Sequence, residues 1–257
     1  MQEHEVVLNV EDVAVSFEGR AVLRGVSLQL RDGELVSLLG ASGGGKTTLF
    51  NAVSGLLVPD AGRVLLRGQD ITGATGHVSY MMQKDLLLES MRVADNVGLP
   101  LRLRGASKAQ ARAEAVALLP DFGLAEAAQL WPSQLSGGMR QRAALARTYL
   151  ASRDVLLLDE PFSALDAFTK ADMHRWFMAT QRRLGLSVLF VTHDIDEAVL
   201  LSDRILVLKE GLIVGEVPVN RPGKAGDASA AAVEVPEDFS LTEQFLEAKR
   251  QVRVLLA

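Results

Sequence analysis

Apolar and polar positions follow two different rhythms along the chain, and the change between them divides it. Near the N-terminus, apolar-rich stretches at residues 6–10 and 13–17 and an alternating stretch at residues 26–30 read as strands. The run Leu35–Leu39 (LVSLL) is almost continuously apolar and bounded by turn residues. That suits a strand covered on both faces in a mostly parallel sheet. A glycine-rich loop follows, then a predicted helix over residues 46–55 that Gly55 is placed to end. From about residue 84 to residue 151 the strand signals fade. Ser107 and Gln110 form a Ser-x-x-Gln capping box before an alanine-rich stretch running to Leu119, so this region reads as a mainly helical insert. Strand and helix alternate again from residues 155–158 (VLLL) through 188–191 (VLFV) to 205–208 (ILVL). A helix is expected over 166–184, with Gly185 as its stop. Residues 220–236, rich in Ala, Gly and Pro, read as a loop. Ser240 and Glu243 offer a further capping box, after which Leu241, Phe245, Ala248 and Val252 share one helical face. The expectation is an α/β body over residues 1–219, with its helical insert at about 84–151, and a loop plus C-terminal helix over 220–257.

Composition narrows the function classes. A chain of 257 residues with 48% hydrophobic content can bury one large core. Its net charge of −5 argues against a broad phosphate-backbone surface, so no nucleic-acid partner is expected. With no cysteine, disulfides and cysteine-ligated zinc are excluded. No stretch reaches the roughly 18 apolar residues that span a bilayer, and the acidic N-terminus lacks a secretory pattern. Any membrane role is therefore expected to come through a partner.

Three segments carry chemistry. Gly40, Ala41, Ser42, Gly43, Gly44, Gly45, Lys46 and Thr47, followed by Thr48, fit the phosphate-loop pattern G-x-x-x-x-G-K-[ST]. The glycines let backbone N–H groups converge on anionic oxygens, and the helix behind presents its positive end to them. Lys46 brings a full charge to the β- and γ-phosphates, and Thr47 a hydroxyl to Mg²⁺. The apolar run 155–158 then ends in Asp159 and Glu160. A buried strand delivers both carboxylates to the carboxyl edge of the sheet, Asp159 for Mg²⁺ and Glu160 to take a proton from attacking water. Ser136, Gly137 and Gly138 form a second helix start open to phosphate. One chain already has its own phosphate loop, so this start suggests a contribution across an interface between subunits. Taken alone, it could be no more than a helix cap.

The set of residues 40–47, Gln83, 135–141 (LSGGMRQ), 155–161 (VLLLDEP), 163–166 (SALD) and His193 resembles the ATP-binding cassette family in order, type and spacing, over roughly residues 7–216. The resemblance implies an α/β P-loop NTPase core with a mostly parallel sheet, an N-terminal antiparallel β portion and a helical insert. It also implies an ATP-hydrolysing enzyme that uses ATP and Mg²⁺. Two copies would face head to tail, each ATP lying between one chain's phosphate loop and the other's Ser136 motif. It implies that Gln83 senses Mg²⁺ and water, that His193 meets the γ-phosphate, and that Asp166 links the two sites. Phe17 would stack on adenine, the alternative being a core phenylalanine on a strand. Met139 stands where many members have Gln, Gly44 where Cys is common, and Phe17 where Tyr is common. None of these removes a group that the chemistry needs. The segments 80–88, 132–142, 159–170 and 193–198 look most like importer ATPases of the nitrate, sulfonate, taurine and thiamine-precursor pyrimidine group. Such proteins lie peripherally on the cytoplasmic face of the cell membrane. They work with separate integral-membrane permease subunits and, indirectly, an extracytoplasmic solute-binding protein. The alternative is the ATPase subunit of an exporter or lipoprotein-release system.

Overall fold

The computed structural model describes residues 5–152, 154–221 and 239–257. Of the expected 220–236 loop, all but residues 220 and 221 lie outside the described residues. The chain opens with β1 (Val6–Phe17) and β2 (Arg20–Arg31), a long antiparallel pair. The two N-terminal strands expected from the sequence are one. The apparent break is an irregularity between Val10 and Val13, where Asp12 takes φ 48°. Aspartate tolerates that conformation, and its N–H and carboxylate both bond the Ser27 hydroxyl, at 2.9 and 3.1 Å.

Then come β3 (Leu35–Leu39) and α1 (Lys46–Val53), the latter two residues shorter than expected, with Gly55 just beyond it. Strands β4 (Ala61–Leu66) and β5 (Gln69–Asp70) complete a four-stranded sheet in the order β2-β1-β4-β5. After β6 (Ser79–Met81) the chain is helical: α2 (Val93–Val97), α3 (Leu99–Leu103), α4 (Lys108–Leu118) and α5 (Gly137–Ala151). The Ser107–Gln110 capping box forms in both directions at the start of α4. The body closes with β7 (Val155–Asp159), α6 (Ala167–Leu184), β8 (Ser187–Val191), α7 (Ile195–Leu201), β9 (Arg204–Lys209) and β10 (Leu212–Pro218). The second sheet has the order β10-β9-β3-β8-β7-β6. Only the β9–β10 pair is antiparallel.

The strict two-residue period of a strand explains how this sheet builds two cores at once. On β7, Leu156 and Leu158 point to the helical side, while Val155 and Leu157 point toward α1 and the antiparallel sheet. On β8, Val188 and Phe190 take the helical side and Leu189 and Val191 the other. This is why these runs are apolar at every position. Each such buried side chain contributes about 1.5–3 kcal/mol.

The tail differs from expectation at its start. Helix α8 (Glu243–Leu256) is capped by Thr242, whose hydroxyl accepts from the Phe245 N–H at 3.3 Å, and not by Ser240. A 3-10 turn at Phe239–Leu241 precedes it and leaves Leu241 75% exposed instead of on the buried face. Phe245, Ala248 and Val252 do share that face. They enter a third core with Val199, Ile205 and Val217.

Candidate active site

Four loops leave the carboxyl edge of the parallel sheet side by side, after β6, β3, β7 and β8. Ligands of open α/β sheets bind at that edge. The loop after β3 can pass close to β9 only because residue 40 is glycine, since a Cβ there would lie 2.4 Å from the Leu208 carbonyl oxygen. Gly45 turns the chain into α1 with φ 99°, a left-handed conformation, and leaves the helix with no side-chain cap. The first-turn amides of α1 are thus available to an anion. Lys46 is buried, and its ammonium donates to the carbonyls of Gly40 at 2.8 Å and Ala41 at 2.9 Å. Burial pulls its pKa below the usual lysine value, and the charges of Glu160 and Asp159 pull it back up.

Asp159 ends β7 with its Oδ2 accepting from the Tyr80 hydroxyl at 3.2 Å and from Thr47 Oγ1 at 3.5 Å. Burial lifts its pKa and the nearby Glu160 charge adds to this, while the Tyr80 hydrogen bond and the Lys46 charge oppose it. Glu160 follows with φ 46°, a strained conformation for a branched-chain-free but bulky residue, held by its N–H donating to Val191 O at 2.9 Å. Its carboxylate sits between two neighbours. Oε1 lies 3.1 Å from His193 Nδ1, and Oε2 accepts from Gln83 Nε2 at 3.2 Å. Ser163 closes the loop, its hydroxyl donating to Glu160 O at 2.9 Å and accepting from Gln83 at 3.4 Å.

Lys46, Thr47, Gln83, Asp159, Glu160 and His193 are therefore gathered at one edge although they span nearly 150 positions of chain. Asp166 caps α6, accepting from the N–H groups of Phe168 and Thr169 at 3.1 Å each and from the Thr169 hydroxyl at 2.6 Å. Those bonds hold its carboxyl below the usual range. Ser136 caps α5 through Met139 N–H at 3.3 Å, and Ser136 and Gly138 border a separate cleft of about 350 Å³ with Phe168, Thr169, Asp172 and Met173. The ring of Phe17 is 49% exposed at the tip of the first hairpin, which leaves a face free. Tyr80 is the site residue that the sequence did not single out. In the sequence it only opens the apolar run Tyr80-Met81-Met82 before Gln83, and no local pattern marks its hydroxyl.

The donors fit the expected ligands. The uncapped helix start and the buried ammonium suit a polyphosphate. Thr47 hydroxyl, Asp159 carboxylate and Gln83 amide are hard oxygen donors that suit Mg²⁺. Among the described residues no group of three or more His, Asp or Glu could hold a metal.

Phosphate loop, paired carboxylates at a strand end and parallel sheet together define a P-loop nucleoside-triphosphatase. The profile of the ABC transporter family matches residues 23–163, and the chain belongs to that family as an ATP-binding, ATP-hydrolysing subunit. It is 40% identical to the aliphatic sulfonates import ATP-binding protein SsuB of Albidiferax ferrireducens, over 88% of this chain and 80% of that one. With the taurine import ATP-binding protein TauB of Chromobacterium violaceum it shares 40% over 93% and 94%. With the formylaminopyrimidine import ATP-binding protein ThiZ of Halalkalibacterium halodurans it shares 39% over 84% and 85%. Among solved structures it resembles cbiO1 of Clostridium perfringens, part of the ABC transporter complex cbiONQ. That match has a TM-score of 0.75 and 26% identity over 82% of this chain and 88% of that one.

Proposed function

We propose that the chain is the ATP-hydrolysing subunit of an importer for a small solute of the sulfonate, taurine or thiamine-precursor pyrimidine type. It acts as a peripheral protein on the cytoplasmic face of the cell membrane, joined to integral-membrane permease subunits. No helix among the described residues is long and apolar enough to cross a membrane, so passage of the solute falls to those subunits. A solute-binding protein outside the membrane delivers the cargo. The relatives SsuB, TauB and ThiZ are all import ATP-binding proteins, which supports the direction of transport.

The observation that carries the catalytic reading is Glu160, held between Gln83 and His193 beside Asp159. Lys46 and the first-turn amides of α1 bind the phosphates, and Phe17 stacks on the base. Thr47, Asp159 and Gln83 would hold Mg²⁺, which would supply positive charge to the phosphates. Glu160 takes a proton from the attacking water, His193 orients that carboxylate and meets the γ-phosphate, and the water is confined by Gln83. Ser136, Gly137 and Gly138 of a second copy close the site from the opposite side, with Asp166 linking the two sites.

Glu160→Gln keeps shape and hydrogen bonding but loses basicity. Hydrolysis is expected to fall about 10²–10⁴-fold with nucleotide binding retained. A rate within a few-fold of the parent would remove Glu160 from the catalytic role. For transport, uptake of taurine, an alkanesulfonate and formylaminopyrimidine is measured in cells lacking the gene. Loss of one uptake, restored by the parent and not by Glu160→Gln, is expected. Intact uptake of all three with failed lipoprotein release would favour the export reading.

A further inference from the structure

Tyr80 joins three parts of the site. Its backbone lies on β6, paired with Leu157 of β7 two residues before Asp159. Its ring meets Phe50 of α1 edge-on, with centroids 5.6 Å apart and planes at 81°. Phe50 is fully buried and stands one helical turn beyond Lys46. Its hydroxyl reaches Asp159 Oδ2 at 3.2 Å, closer than the 3.5 Å of Thr47 Oγ1 to the same oxygen. The ring is thus fixed by packing, and the carboxylate is fixed by the ring. Asp159 Oδ1 has no protein hydrogen bond among the described residues.

We infer that Tyr80 is a positioning residue for the metal–nucleotide site, fixing the Asp159 carboxylate so that Oδ1 is presented to the cation beside the Thr47 hydroxyl. Partners that orient a metal-binding carboxylate typically change metal affinity by about 10–100-fold when removed. The inference rests on reading Asp159 as a metal-site carboxylate.

The test is Tyr80→Phe, which keeps the ring on Phe50 and removes only the hydroxyl. Binding of a non-hydrolysable ATP analogue is measured calorimetrically twice, with Mn²⁺ and in EDTA, for the parent, Tyr80→Phe and Asp159→Asn. The Mn²⁺ spin-resonance spectrum is recorded for the metal-loaded samples. Expected for Tyr80→Phe is about a tenfold loss of affinity with Mn²⁺, an altered Mn²⁺ spectrum and unchanged affinity in EDTA. Asp159→Asn should lose the metal-dependent part more completely. Equal weakening with and without metal would mean that Tyr80 serves only the packing, and the inference falls. If Tyr80→Phe matches the parent while Asp159→Asn loses metal dependence, the inference falls and the site reading stands. If Asp159→Asn also keeps full metal dependence, both fall.

Discussion

At the scale of single residues, Lys46 shows most directly how the fold holds a charged side chain at the proposed phosphate site. Its ammonium is buried at the cost of desolvation, and two loop carbonyls hold it in place. Lys46→Ala is expected to lower hydrolysis by at least about 100-fold, on the scale of losing one preorganised electrostatic donor, and to weaken nucleotide binding. Circular dichroism should be unchanged, because Leu49, Phe50 and Val53 keep α1 anchored in the core. Turnover near that of the parent in a folded variant would remove Lys46 from the phosphate site. The chemical identities at this scale, Lys46, Thr47, Asp159 and Glu160, were all legible from pattern. Tyr80 was not, because its partner lies 79 positions away and its strand is only three residues long.

Between elements, the loop that carries His193 is tied down by an ion cluster in which His174 and Glu197 are buried and Lys170 and Asp194 half-buried. Lys170 of α6 bonds Asp194 at 2.9 Å and Glu197 at 3.1 Å, and His174 pairs with Glu197 at 2.8 Å. Asp194 also caps α7. Burial works against the Glu197 charge, but bonds from His174 and Thr192 and the Lys170 charge prevail and hold its carboxyl below the usual glutamate value. A carboxyl with a lowered folded pKa stabilises above its unfolded value, and that stabilisation is lost as pH falls through the folded value. Glu197→Gln is therefore expected to cost about 1.5–3 kcal/mol near neutrality, on the scale of hydrogen bonds to a charged group, and less as pH drops below about 4.5. Urea unfolding at pH 7 and pH 4 measures this. A deficit that is the same at both values would remove Glu197 from the acid response. A second bridge, the two-point pairing of Arg140 with Asp85 at 2.9 and 3.0 Å, ties the Ser136 helix to the loop after Gln83. Neither bridge has a local signature, since each joins elements distant in sequence.

For the whole molecule, the proposed head-to-tail pair rests on the cleft beside Ser136, which none of Lys46, Thr47, Asp159 and Glu160 lines. A symmetric pair brings each motif to the partner's opposite one. Lys46→Ala chains and Ser136→Arg chains are each expected to fail at ATP-dependent association. Mixed together, they rebuild one proper site from the intact Lys46 of one chain and the intact Ser136 of the other. Partial recovery of association is therefore expected on mixing, read by analytical ultracentrifugation with one labelled chain. If mixing restores nothing while the parent dimerises, the Ser136 motif does not act across the interface.

What the sequence determined by itself was everything set by neighbours along the chain. That includes the glycine loop running into α1, the Ser107–Gln110 box, and the apolar runs of β3, β7 and β8, buried on both faces. At the tail the local rule pointed to Ser240, whereas Thr242 caps α8. The core under α8 selected Thr242, by burying Phe245 and leaving Leu241 in solvent. β10 escaped notice because it is an edge strand with mostly exposed side chains. Only the tertiary structure decided that Gln83, Glu160 and His193 touch, and that Tyr80 holds Asp159. Those contacts follow from the strand order β3-β8-β7-β6, and parallel neighbours in such a sheet are joined by crossovers whose length carries no trace of who will lie beside whom.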